Sequence, residues 1–148
     1  MSNIKLISEG ANVAPIYWAI LNHPELWNEH DARTKDETSP HYGLDDIWPR
    51  FGEVQYAGEL GGVLITRIPA GKECKPHSDP GWHARRYQKF GVQITSAPGQ
   101  KFCFEDAELE TKPGDIFWFD NEYTHWVTNP TPYERITMIV CIRIDKEQ

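Results

Sequence analysis

Apolar and polar positions change rhythm near residue 61. Upstream, the apolar residues fall at helical spacing. Pro15 can open a helix whose positions Ile16, Ile20 and Leu21 share one side. Pro24 then starts a short second turn that contributes Leu26 and Trp27. Thr34 to Tyr42 (TKDETSPHY) is polar, carries a proline and reads as a loop. Leu44 to Trp48 is expected to form one helical turn, stopped by Pro49.

Downstream the pattern is one of strands and turns. Val63 to Ile68 is a β-rich run ended by the turn Pro69-Ala70-Gly71-Lys72. Lys89 to Thr95 alternates, with Phe90, Val92 and Ile94 on one face and Lys89, Gly91 and Gln93 on the other. Ala97 to Gln100 turns the chain into a strand over Lys101 to Glu105, and Leu109 to Lys112 predicts another. Lys112 to Asp115 is a further turn, followed by strands over Ile116–Phe119, His125–Thr128 and Ile136–Ile144. Roughly eight short strands with no helix between them predict a mostly β fold, an antiparallel sandwich or barrel and not a βαβ sheet. The 148 residues suit one domain, with residues 1–60 packing as short helices and loops on a core spanning 61–145.

Composition agrees with short strands, since the chain carries six Trp, six Tyr and six Phe among frequent Gly and Pro. A formal charge of −7 disfavours nucleic acid as a partner, because gripping phosphates takes a basic surface. Cys74, Cys103 and Cys141 form no CxxC pair and are expected to be reduced, partly buried thiols. The first ten residues lack a signal-peptide pattern, and no apolar run approaches the ~20 residues of a membrane helix. The expectation is a soluble cytoplasmic protein acting on a small-molecule or peptide substrate, with no membrane partner.

One constellation carries chemistry. His77-Ser78-Asp79 lies where a strand runs out into a loop, and residues two apart on extended backbone project to the same side. His125 follows on a different predicted strand. Two histidines and a carboxylate on one face of an iron leave three positions open, the facial triad of non-haem Fe(II) oxygenases. A His-x-Asp pair alone is more often solvated and idle. Arg135, ten residues beyond His125, strengthens the reading. It opens an apolar strand, where a cation needs an anionic partner or an exit to water. Its planar fork matches the distal carboxylate of 2-oxoglutarate. A surface acid across the sheet is the competing partner.

The segment from about Gly62 to Ile144 resembles the aspartyl/asparaginyl β-hydroxylase family of Fe(II)/2-oxoglutarate-dependent oxygenases. The matching pieces are Arg67-Ile68-Pro69-Ala70-Gly71 leading to Pro76-His77, Arg85-Arg86 before Phe90-Gly91, Pro113 to Asp120, His125, and Arg135-Ile136. The resemblance implies a double-stranded β-helix (jelly-roll, cupin-like) fold, Fe(II) held by His77 and His125, and Arg135 on 2-oxoglutarate, with dioxygen as the oxidant. Two departures stand out. Asp79 supplies a carboxylate that family members of the animal endoplasmic-reticulum type lack. The family's Arg-x-His before the third core strand is here Tyr87-Gln88-Lys89, so Tyr87 and Lys89 become the candidates for further co-substrate contacts.

Loops over residues 28–50 and 79–88 are the expected substrate selectors, with Trp48, Trp82, His83, Arg85 and Arg86 offering stacking and charge. His83 is read as a loop residue and not a ligand, and Trp118, Phe119 and Trp126 as core. Asp120 is expected to cap a turn. Two other functions compete: a metal-dependent cupin-type enzyme that does not use 2-oxoglutarate, and a non-catalytic β-sandwich binding module.

Overall fold

The computed structural model describes residues 3–28, 50–55, 60–78 and 87–143. The expected loop over 34–42 and the turn before Pro49 lie outside them. Two antiparallel sheets pack face to face. The larger has seven strands in the order β1 (Ile4–Ser8), β9 (Ile116–Phe119), β6 (Tyr87–Thr95), β11 (Arg135–Arg143), β4 (Leu60–Ile68), β3 (Arg50–Gln55) and β2 (Trp27–Asn28). The smaller runs β5 (Glu73–His77), β10 (His125–Thr128), β7 (Lys101–Phe104) and β8 (Ala107–Leu109).

The core between the sheets joins Ile4, Ile68, Phe117 and Phe119 of the large sheet to Phe102, Phe104 and Val127 of the small one. A second cluster lies on the outer face of the large sheet. There α1 (Ala14–Asn22), with Pro15 in its first turn, lays Ile16, Tyr17 and Ile20 over Val92, Ile94, Ile136 and Met138. These helix residues recur at three- and four-residue steps, the spacing of a buried helical stripe. Leu21, expected on that stripe, is instead 50% exposed, and Tyr17 takes its place.

Several elements differ from the pattern reading. The strand expected over Leu109–Lys112 is β8, Ala107–Leu109. Phe104 pairs with Ala107 across a two-residue hairpin turn, which starts the return strand early. Thr111 has already left the ladder to bond Gln93. β1 and β3 were not legible as strands. β1 buries only Ile4, so its alternation is faint. The turn before β9 held as expected. Gly114 there adopts φ +92, and a Cβ would press on the Ala11 carbonyl oxygen at 2.8 Å. No helix among the described residues is long and apolar enough to cross a membrane.

The alternation of β6 has a consequence for the interior. Its apolar set, Val92 and Ile94, faces outward beneath α1, and its other set, Lys89, Gly91 and Gln93, faces between the sheets. Gly91 sits opposite Phe117, whose ring occupies the space a side chain would need. Phe117 is fully buried and cannot swing away. Gly91→Ala is therefore expected to destabilise the fold by about 1–3 kcal/mol through overpacking. Denaturant unfolding of Gly91→Ala, Phe117→Leu and the double variant checks this. The double variant should recover part of the loss, and additive losses would show that the two positions do not compete for space.

Candidate active site

The β5–β10 ladder sets the geometry of the two histidines. His125 pairs directly with His77, and Val127 pairs with Cys74. Between those pairs two residues, Lys75 and Pro76, stand opposite the single residue Trp126, which is a β-bulge. Pro76 has no N–H to give the ladder, so it is at home in a bulge. In a straight strand Cys74 and His77 would point to opposite faces. The extra residue returns both to the same side, with Cys74 Sγ 3.8 Å from His77 Nδ1.

The two imidazole rings lie 4.6 Å apart between centroids. Each places Nδ1 2.7 Å from the carbonyl oxygen two residues before it, Lys75 for His77 and Tyr123 for His125. A carbonyl only accepts, so Nδ1 carries the proton and Nε2 the lone pair in both rings. That backbone clasp is the arrangement that orients a metal-ligating histidine. His125 is 4% exposed and sits among Phe102, Phe104 and Phe119 at 5.6–5.7 Å between ring centroids. The donor chemistry of the pair suits Fe(II), which takes imidazole nitrogen readily. The third expected ligand, Asp79, lies outside the described residues, as do Trp48, Trp82, His83, Arg85 and Arg86. Among the described residues no group of three potential metal ligands comes together.

Arg135 is buried at the start of β11, opposite Ile68. Its Nη1 donates to Thr137 Oγ1 at 2.8 Å, and no described carboxylate reaches it. Burial pulls its guanidinium down to about 10, while the neighbouring Cys74 and Cys103 push the other way. At neutral pH it remains a cation. Ile68, opposite Arg135, belongs to the core cluster against which Cys74 packs, and Cys74 lies beside His77, which places the buried charge and the imidazole pair in the same region between the sheets.

Two features around Arg135 were missed in the sequence. The first is a buried polar seam. Thr137 Oγ1 also accepts from Gln93 Nε2 at 3.0 Å, and Gln93 Oε1 accepts from Thr111 Oγ1 at 2.8 Å. The available signal was the alternation Arg135, Thr137 on one face of an otherwise apolar strand. The second is Asn129, 1% exposed. Its Nδ2 donates to the carbonyls of Ile68, Pro69 and Tyr133, and its Oδ1 accepts from the Thr131 backbone N–H and hydroxyl. This clamp fixes the connection between His125 and Arg135 against the end of β4.

The remaining candidates are also located. Lys89 faces inward and donates from Nζ to Cys141 Sγ at 2.8 Å. Tyr87 is buried, its ring lying where a side chain on Gly61 would project. Phe119 is core, and Trp118 is half-buried with Nε1 donating to Gln88 Oε1 at 2.6 Å. Asp120 caps its turn by accepting from the Glu122 N–H at 3.2 Å. Arg67 packs over the Trp27 ring at 4.3 Å. All three cysteines are thiols outside any disulfide.

Solved structures of similar fold place this architecture among double-stranded β-helices. A Pseudomonas putida prolyl-4-hydroxylase superposes with a TM-score of 0.65 at 11% identity, covering 95% of this chain and 92% of its own. DMSP lyase DddQ from Ruegeria pomeroyi DSS-3 gives 0.61 at 14% identity, covering 97% of this chain and 68% of its own. A cupin domain from Bordetella pertussis gives 0.47 at 18% identity, covering 62% and 94%. At these identities the first two likenesses are ones of fold alone. No curated protein matches the chain by sequence. The family described as Aspartyl/Asparaginyl beta-hydroxylase matches residues 49–144, nearly two thirds of the chain and the span that holds both histidines and Arg135. The chain therefore belongs to the aspartyl/asparaginyl β-hydroxylase family, hydroxylases of the 2-oxoglutarate oxygenase type.

Proposed function

We propose that this protein is an Fe(II)- and 2-oxoglutarate-dependent oxygenase that hydroxylates a C–H bond of a small molecule or peptide side chain. The observation that carries the reading is a buried guanidinium without a described carboxylate, in the same inter-sheet region as two imidazoles whose Nε2 atoms hold the lone pairs. His77, Asp79 and His125 are assigned to the metal. When bound, iron and 2-oxoglutarate together supply the oxidising chemistry, in which dioxygen is consumed, the oxo acid leaves as succinate and carbon dioxide, and the substrate gains a hydroxyl group.

The chain's own residues orient and shield. The Lys75 and Tyr123 carbonyls fix both imidazole tautomers before any metal arrives. Phe102, Phe104 and Phe119 surround His125 with apolar surface that excludes water from one side of the site. Arg135 receives the far carboxylate of the co-substrate, and its bond to Thr137 sets the plane of the fork. A metal-dependent cupin that does not use 2-oxoglutarate would have no use for that cation. Trp48, Trp82, His83, Arg85 and Arg86 are assigned to substrate selection.

Replacing His77 or His125 with Ala should remove most bound iron, measured as metal content after anaerobic loading and desalting. Stoichiometric iron in His125→Ala would reject the metal assignment. His83→Ala should keep its iron, and loss of metal there would move the site downstream of Asp79.

Arg135→Met separates co-substrate binding from folding. Hydrogen bonds to charged groups contribute about 1.5–3 kcal/mol each, so losing a bidentate pair should weaken 2-oxoglutarate by roughly a hundredfold or more. Iron affinity should stay near the parent value. The apo variant should be as stable as the parent or more so, because an apolar chain replaces a desolvated cation. The measurements are anaerobic titration of the visible charge-transfer band and thermal unfolding with and without 2-oxoglutarate. Parent-like affinity in this variant would point to the cupin-type reading.

A further inference from the structure

Lys89 and Cys141 stand directly opposite each other on β6 and β11, and both face the space between the sheets. Cys141 is 6% exposed and Lys89 is half-buried. A lysine on a half-buried strand ordinarily runs its stem along apolar surface and carries its nitrogen out to water. This one brings Nζ to 2.8 Å from Cys141 Sγ. No described carboxylate pairs with it. Sulfur is larger than oxygen, so an N–H···S contact should be longer than the ~2.9–3.0 Å of an N–H···O bond. The observed separation is shorter. It is too long for a direct N–S bond and short enough for a single atom to bridge the two.

We propose that Lys89 and Cys141 form an oxidation site, which dioxygen closes into a covalent Nζ–O–Sγ bridge. The ammonium first gives a proton to solvent. The amine then loses one N–H and the thiol its S–H, while N–O and O–S bonds form. One oxygen atom of dioxygen becomes the bridge and the other leaves as water. Nitrogen and sulfur each give two electrons, which together account for the four that dioxygen takes up. Four electrons and four protons from a dithiol reductant reverse the change and release water. The bridge removes the Lys89 positive charge from the interior, so oxidation changes the electrostatics between the sheets without moving a strand. The proposal needs no metal and stands apart from the iron assignment.

The test uses the intact purified protein, held in air or under anaerobic dithiothreitol and then denatured for thiol titration and peptide mapping. Reduced protein should show three thiols per chain, matching its three cysteines. Air-exposed protein should lose the Cys141 thiol and resist tryptic cleavage after Lys89. The two peptides should be linked with one oxygen gained and two hydrogens lost, and dithiothreitol should restore both. Cys103, buried to the same degree, is the internal control and should stay a thiol. Lys89→Arg keeps the charge but cannot form the link, so Cys141 should remain titratable in it. Three thiols after prolonged air exposure would overturn the proposal. So would a link without the added oxygen, sulfinic acid on Cys141 beside an unmodified Lys89, or loss of the Cys141 thiol in Lys89→Arg.

Discussion

A positive charge sealed inside a protein is unfavourable to folding, and this molecule keeps one at the head of its most central strand, with no counter-ion among the described residues. Desolvation of a guanidinium opposes folding by several kcal/mol unless something compensates. Here the compensation from the described residues is a single hydroxyl, Thr137, itself shared with Gln93. Much of the interior is arranged around that charge. β11 lies between β6 and β4, with full antiparallel ladders on both sides, so Arg135 cannot drift. Asn129 ties the preceding connection to Ile68 and Pro69, so the strand cannot start elsewhere. A cation held this firmly, with so little from the described residues to neutralise it, suits the co-substrate role proposed for Arg135.

The direction of the strand faces follows the same logic. In an ordinary half-buried sheet the apolar face of each strand looks toward the core and the polar face toward water. The large sheet departs from this. β6 and β11 turn apolar residues outward, where α1 covers them, and send Lys89, Gln93, Arg135 and Thr137 toward the other sheet. Such polar residues are tolerated because they bond one another across strands. The aromatic packing of Phe102, Phe104, Phe117 and Phe119 fills the space beside them. The interior is thus part hydrophobic core and part polar chamber.

Much of this was legible in the chain. Strand alternation, proline–glycine turns and the lack of helices downstream of residue 61 gave an antiparallel β fold. Strand-end histidines and a cation opening an apolar strand gave the candidate site. Legibility failed where local pattern does not encode the outcome. Which face of β6 looks inward depends on α1, more than sixty residues away. The edge strand β1 buries one residue and leaves almost no alternation to detect. Asn129 carried no signal because four of its five partner atoms are backbone atoms that no sequence displays. Lys89 and Cys141 are 52 positions apart, and only the β6–β11 register brings them together.

The bulge at Lys75–Pro76 has an implication for how this lineage could change. The surplus residue of β5 is absorbed at one place, opposite Trp126, so His77 keeps the same facing as His125. Deleting one of the two bulged residues would leave a regular ladder with the imidazoles still opposite each other. A residue gained or lost where no bulge can absorb it would instead turn every following side chain to the other face. Chain length can therefore drift at this point without parting the pair, and descendants of this fold can differ by one residue here and keep both rings together.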